Sequence, residues 1–352
     1  MPARKPPKKD PDDVVRGYAK RRGRRDSDGE PPIGDEPDID DGRVDAEALV
    51  DADMADPLFI ARPWVPEGVT LVVGRPKIGK TTLLRQLAAA ANVGGQFFTA
   101  DCRPARVLFL SLEESERLMR IKLRGMRLAA GTLAGIDLRF EWPRGQYGAE
   151  RVHQWAERHV RPGEPALVII DSLARFREPP NAKQNAYTAD YEAVNMVATV
   201  CKALPGLAAL ILHHTRKGTT DDPLEAISGT FGLSAACDNY LIVMPEGTRY
   251  RLHAGGRLWL GDESDFELDR GRDGWSLAGA WNPTLNALPL KQREALELLN
   301  GHALTPKVLT ERLGSGSISS TSHLLAQLRG KGLVERIANG WIAVVPASDV
   351  KH

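Results

Sequence analysis

Between Gly74 and Thr81 the chain reads GRPKIGKT, a glycine, four residues and then Gly-Lys-Thr, and each of these residue types has a task at that spacing. Glycine lets successive backbone N–H groups turn toward one anion. The Lys80 ammonium is a point charge matched to β- and γ-phosphate oxygens, and the Thr81 hydroxyl is a hard ligand for Mg²⁺. The implied chemistry is capture of a nucleotide's phosphates by Gly74, Arg75, Pro76, Lys77, Ile78, Gly79, Lys80, Thr81 and Thr82, with Mg²⁺ shared between Thr81 and a carboxylate. Asp171, at the end of the apolar run PALVIIDS, offers that carboxylate. ARVLFLSLEES delivers Glu113 and Glu114, either of which could polarise an attacking water; the other reading is two acids opening a helix, whose first turn favours them. LAALILHHTRKG ends in His213 and His214, which face opposite ways on a strand, so that one can sense a γ-phosphate while the other packs.

The elements that must hold these groups are legible in the same stretches. VTLVV before the glycine loop is an apolar run of strand type, and TTLLRQLAAAA after it is rich in helix formers. This is the strand, loop and helix context that the motif requires, and the helix N-terminus adds a favourable dipole for an anion. Strands alternating with helical stretches predict an α/β fold with a mostly parallel sheet and ligands at the strands' carboxyl ends. On this reading the strand of Asp171 lies directly beside the strand that precedes the glycine loop, since both serve one ion. TTDDPLEAISGTFG, residues 219–232, has no periodicity and reads as a mobile loop beside the site.

Composition sets the outer limits. With 352 residues and 42% hydrophobic side chains, the chain has room for two compact domains and a tail. No apolar run reaches the ~18 residues of a membrane span, and MPARKPPKKDPDD lacks the apolar segment of an export signal. No membrane partner is expected, and the expected location is cytoplasmic. Cys102, Cys201 and Cys237 have no paired spacing, which argues against a disulfide framework or a zinc site. The net charge of +1 conceals opposed blocks: residues 1–25 carry ten Lys/Arg against three Asp, and residues 26–56 thirteen Asp/Glu against Arg43. Such blocks bury too little apolar surface to fold, so residues 1–55 read as a disordered charged tail. Within it KRRGRR, residues 20–25, is either a nucleic-acid-contacting arm or part of a solubilising tail.

The order of glycine loop, glutamate at the next strand's end, buried strand ending in aspartate, polar strand end and loop resembles that of RecA-like ATPases. PEGVTLVVGRPKIGKTTL, VLFLSLEES, LVIIDSL and LILHHTRKG look like the plasmid RepA-type hexameric helicase branch, the last through its HHT signature. The resemblance covers about residues 57–280 and implies a RecA-like P-loop NTPase core over residues 56–282. It also implies ATP and Mg²⁺ as ligands and a homo-oligomer, a hexameric ring, that couples ATP hydrolysis to translocation along single-stranded DNA and unwinding during replication. Carried over by motif, Lys80 and Thr81 hold phosphate and Mg²⁺, Glu113 is the catalytic base, Asp171 the Walker B acid, and His214, or else His213, the sensor. Motors of this kind place an arginine in the neighbouring subunit's site. TRYRLHAGGRLWLGDESDFEL offers Arg249, Arg251 and Arg257, and a strand ending in a Gly-Arg pair favours Arg257. Gly255 stands where related motors carry a lysine, so a single-residue finger is implied. Two other readings stay open: an ATP-switched DNA-binding initiator or regulator, and a recombination ATPase that coats DNA without unwinding it.

After a Pro/Asn-marked linker at residues 283–289, residues 290–346 read as a small module. LKQREALELL has helical spacing, TPKVLTERLG starts at a capping Thr305 with Pro306 in the first turn and stops at Gly314, and SSTSHLLAQLRGKG is a third helix. LVERIANGWIAVV is a hairpin around Asn339-Gly340. Three helices and a hairpin resemble a winged helix-turn-helix. Its third helix would then present Ser319, Ser320, Thr321, His323, Gln327 and Arg329 to duplex DNA. Eight Lys/Arg against five Asp/Glu over residues 283–352 is a mild charge for that task, which leaves subunit or partner contacts as the other use.

Overall fold

A computed structural model of the chain describes residues 45–52, 55–179, 186–214, 223–224, 233, 236–246, 249–259, 262, 264–271, 274–283, 288–314 and 316–344. The basic stretch 20–25 and nearly all of 219–232 lie outside these residues. Residues up to Ala55 form one unit and Asp56–His352 a second. In the first, a helix spans Ala46–Asp51, which corrects the reading of all of residues 1–55 as disordered. The cause is local: the Asp45 carboxylate accepts a hydrogen bond from the Glu47 N–H at 3.0 Å, and Ala46, Glu47 and Leu49 are good helix formers.

In the second unit VTLVV lies in β1 (Gly68–Gly74), and the chain then runs through α1 (Lys80–Val93), β2 (Arg106–Ser111), α2 (Glu116–Gly125), β3 (Ile136–Arg139), α3 (Gly145–His159) and β4 (Ala166–Asp171). It continues through α4 (Leu173–Phe176), α5 (Ala186–Ala203), β5 (Leu207–His214), β6 (Asn239–Glu246), β7 (Arg249–Gly256), β8 (Ser264–Arg270) and β9 (Trp275–Ala280). These strands make one sheet in the order β9-β8-β7-β6-β1-β5-β4-β2-β3. From β6 to β3 all neighbours are parallel, and β6 to β9 form an antiparallel meander. This is a mixed α/β fold on a large, mostly parallel sheet, as the alternation of strands and helices predicts.

β1 is buried along its whole length after Gly68, as expected of a strand covered on both faces. Alternate residues feed two cores. Val72, Leu167, Ile169 and Phe109 pack on the side of α1, while Val69, Leu71, Val168 and Ile170 pack on the side of α3 and α5.

The expectation that the strand of Asp171 adjoins β1 is corrected: β5 lies between them. The carboxylate still reaches the glycine loop because α1 leaves that loop and crosses the sheet, so that the Thr81 hydroxyl hydrogen-bonds Asp171 from above. A second consequence of the layout concerns the far edge. β9 stands four strands out from β1, about 19 Å away in a flat sheet at ~4.8 Å per step. Its Trp275 N–H nevertheless donates to Gln86 Oε1 of α1 at 2.9 Å, so the antiparallel end curls over α1.

Residues 288–344 carry α6 (Leu290–Leu299), α7 (Pro306–Arg312), α8 (Ile318–Gly330) and a hairpin of β10 (Val334–Ile337) and β11 (Gly340–Ala343) around their own small core. Thr305 caps α7, and Ser317 with Ser320 forms a capping box on α8. Two expectations are corrected. The hairpin pairs Ile337 with Gly340, which puts Ala338 and Asn339 in the turn. Gly340 opens the second strand instead, where a Cβ would come within 2.5 Å of Leu304 O in the stretch that bridges to Trp341. Thr321, expected on the groove-facing side, is 3% exposed and bonds Thr310 Oγ1 at 2.8 Å, and Ser320 is occupied in the cap. Ser319, His323, Gln327 and Arg329 remain exposed.

The module is tied to the sheet by charge. Glu267 of β8, 3% exposed, is gripped by Arg293 of α6 on one oxygen and by Arg249 of β7 at 2.6 Å on the other. Leu325 is fully buried in the small core, and Leu325→Ala is expected to cost about 2–5 kcal/mol. Hydrogen exchange checks this: amides of α6 to α8 should lose protection while those of β1, β4 and β5 keep theirs.

Candidate nucleotide-binding site

The glycine loop runs from the end of β1 into α1, and its backbone has the shape that the residue types implied. Gly79 has φ 114° and ends the loop as the N-cap of α1. Lys77 also has positive φ, and a Cβ on Gly74 would lie 2.7 Å from Val243 O, so bulk is excluded at both glycines. Ile78 is buried under the loop and anchors it to the α1-side core.

Lys80 is 4% exposed and turns back over the loop, its Nζ donating to Gly74 O at 2.6 Å and Arg75 O at 2.9 Å. A third contact, at 3.1 Å, is to Nδ1 of His214. An ammonium only donates, so Nδ1 accepts and the imidazole proton sits on Nε2. Nε2 faces Glu113 Oε2 at 3.6 Å, and the other oxygen of Glu113 accepts from the Ser172 hydroxyl. A continuous line therefore runs Lys80, His214, Glu113, Ser172, joining the glycine loop to the ends of β5, β2 and β4. Strand pairing puts Gly74 level with His214, and Ser111 level with Asp171.

The electrostatics follow from burial and partners. Burial pushes the Lys80 ammonium down to about 8, against the pull of Asp171 and Glu113. Glu113 is held down at about 2, chiefly by the imidazole of His214 and further by the Ser172 hydroxyl, so it is ionised at neutral pH. Glu114, its neighbour, points elsewhere: it pairs with Arg85 of α1 at 3.2 Å and with Lys122 of α2. The two adjacent acids therefore face different partners.

Burial pushes the Asp171 carboxyl up to about 6, partly offset by the Thr81 hydrogen bond. Its Oδ2 is buried with no hydrogen-bond partner among the described residues. An orphaned carboxylate oxygen beside a hydroxyl is a donor set for a hard cation that keeps its other positions for water and phosphate, which fits Mg²⁺. Among the described residues no cluster of three or more His, Cys, Asp or Glu forms a denser metal site.

The arginines expected near a neighbouring site separate by position. Arg249 pairs with Glu267 and Asp269, and Arg251 with Asp265 at 2.7 Å. Arg257 is exposed just past the end of β7. Through β6, Gly256 is level with Thr70, four residues back along β1 from Gly74, or about 13 Å along a strand. Arg257 thus stands at the sheet end opposite its own glycine loop. Three residues at the site had no signal in the sequence reading: Ser172, Gln86 and Trp275. Trp275 Nε1 donates to Gly79 O at 3.0 Å across 196 positions, a separation at which local spacing carries no information.

A family model described as an AAA domain matches residues 43–220, just over half of the chain. Over 111 residues the chain is 30% identical to a curated nucleoside-triphosphatase of Thermotoga petrophila; the match takes in 30% of this chain and 56% of that protein, so the chain spans little more than half the relative's length. The crystal structure of a KaiC-like protein from Pyrococcus horikoshii OT3 aligns with TM-score 0.43 and 13% identity over 62% of this chain and 93% of that one. No described helix is long and apolar enough to cross a membrane.

Lys80→Ala removes the loop's charge and is expected to abolish nucleotide hydrolysis. Glu113→Gln should keep nucleotide affinity while phosphate release falls on the order of 10²-fold or more. Undiminished release by Glu113→Gln would move the water-polarising role to another acid.

Proposed function

We propose, starting from the fact that this chain belongs to the AAA domain family and carries an ATPase-type P-loop domain, that it is an ATP-hydrolysing ring motor of DNA replication, a RepA-type helicase. The observation that carries the hydrolytic part is the line from Lys80 through His214 to Glu113. It puts a phosphate-binding cation, a polar strand end and an ionised carboxylate in one line of contacts at the strands' carboxyl ends, Lys80 to His214 at 3.1 Å and His214 to Glu113 at 3.6 Å. Lys80 and the loop's N–H groups orient the β- and γ-phosphates, and Glu113 accepts from the attacking water and aligns it with the γ-phosphorus. His214, between the two, is placed to change partners when a γ-phosphate draws Lys80 away, so that it reports on that phosphate. Thr81 and Asp171 would hold Mg²⁺, which when bound neutralises charge on the phosphate oxygens.

Assembly follows from the position of Arg257. An arginine at the sheet end remote from its own loop is useful to a nucleotide only in another copy, which supports a head-to-tail interface that closes into a hexameric ring. DNA is the polymer that such a ring would encircle, and the exposed Ser319, His323, Gln327 and Arg329 of α8 support a second, duplex-binding surface with winged-helix geometry.

Three measurements check this. The wild type should unwind a forked duplex with ATP; DNA-stimulated hydrolysis without unwinding would favour a switch or a filament instead. Arg257→Ala should bind ATP normally yet lose on the order of 10³-fold in turnover. Mixing it with Lys80→Ala should restore part of the activity, because one interface then combines an intact Lys80 with an intact Arg257. Specific activity independent of protein concentration, with no rescue on mixing, contradicts shared sites.

A further inference from the structure

We propose that Trp275, from the last strand of the sheet, is a positioning residue for the phosphate loop: its indole N–H fixes the peptide that aims the Lys80 N–H at the nucleotide. The proposal rests on the nucleotide-hydrolysing reading of the site and adds a residue to it. Gly79 O accepts three hydrogen bonds, from Thr82 N at 3.0 Å, Leu83 N at 3.2 Å and Trp275 Nε1 at 3.0 Å. The first two belong to the opening turn of α1. The third comes from outside the helix and arrives from the curled edge of the sheet.

The Gly79–Lys80 peptide is planar and trans, so its C=O and N–H point in opposite directions. Holding Gly79 O toward Trp275 and the helix therefore holds the Lys80 N–H toward the concave side of the loop, among the donors that a helix N-terminus leaves for an anion. The lock matters at this peptide because Gly79 is a left-handed glycine with φ 114°, the residue type with least intrinsic preference for one orientation. The ring itself blocks drift: a Cβ on Gly79 would stand 3.1 Å from the Trp275 indole.

Trp275 is held in turn. Gln86, seven residues after Gly79 and on the same face of α1, donates from Nε2 to Trp275 O at 3.1 Å and accepts from Trp275 N at 2.9 Å. Tyr250 meets the indole edge-on, with ring centroids 4.8 Å apart, and the Arg270 guanidinium lies 5.6 Å over it. At 5% exposure the indole N–H has lost water and depends on Gly79 O for its hydrogen bond. Gly79, Trp275 and Gln86 thus close a small clamp across the first two turns of α1.

Trp275→Phe tests this, since it keeps an aromatic ring against Gly79 and Tyr250 but deletes the donor. Binding of MgADP is measured by calorimetry on the full-length chain, together with KM and kcat for ATP and the thermal midpoint. The loss of one such hydrogen bond corresponds to a fall in MgADP affinity and a rise in KM of roughly ten-fold, with kcat little changed, because the amide contacts ground and transition state alike. AMP, which has no β-phosphate, should bind wild type and variant equally. Gln86→Leu, which loosens the clamp without touching the indole, should move MgADP affinity in the same direction by less. A folded Trp275→Phe with wild-type MgADP affinity overturns the proposal, as does a variant whose only change is a lower midpoint and a proportionate loss of kcat. If Trp275→Phe does not fold, an unchanged MgADP affinity in Gln86→Leu overturns it equally. Absence of MgADP binding by the wild type strikes instead at the nucleotide-binding reading, so the two failures are distinguishable.

Discussion

The site is organised around a buried cation. Lys80 is nearly closed off from water, and desolvation alone pushes its ammonium toward neutrality. Its charge survives because two loop carbonyls, one imidazole nitrogen and the fields of Asp171 and Glu113 converge on it. A phosphate brings the same compensation with more charge, so nucleotide binding can release Lys80 from its own loop at little electrostatic cost. The acids answer this cation in different ways. Glu113 is kept ionised by His214 and Ser172, while Asp171 retains a buried oxygen that a hard cation would satisfy.

Bringing these groups together is a problem of sheet topology. β1, β5, β4 and β2 are neighbours in that order, all parallel, so their carboxyl ends line one edge and supply the glycine loop, His214, Asp171 and Glu113. α1 crosses above them and delivers Thr81 to Asp171 across the intervening β5. The antiparallel strands β6 to β9 extend the sheet on the other side and curl back over α1, where Trp275 meets Gly79. The same ribbon carries Glu267, which Arg249 holds from the neighbouring strand and Arg293 joins to α6, so the C-terminal module is anchored on the strands that brace the phosphate loop.

Much of this was legible in the sequence. The glycine loop, the apolar strand ends and the helix formers after Lys80 specify local structure and local chemistry together, which is why the loop between β1 and α1 and the helix capped by Thr305 follow their sequence signals. The order of strands was not legible, because an apolar run states that a strand is buried and leaves its neighbours open; the place of β5 between β1 and β4 shows this. That Glu114 is tied up by Arg85 and Lys122 was not legible, because they reach it from two different helices. Thr321 reads as a polar helix-surface residue until Thr310 is seen to take its hydroxyl. Trp275 and Gln86 meet only because the sheet curls, a property of the assembled strands that no segment carries alone.

The central claim is that Lys80, His214 and Glu113 form a hydrolytic array, more than a nucleotide pocket. Single-turnover release of labelled phosphate from γ-labelled ATP, with protein in excess over nucleotide and at ring-forming concentration, tests it most directly. The account predicts one phosphate released per bound ATP in the presence of magnesium and none when magnesium is chelated. ATP that stays bound and intact with magnesium present would contradict it.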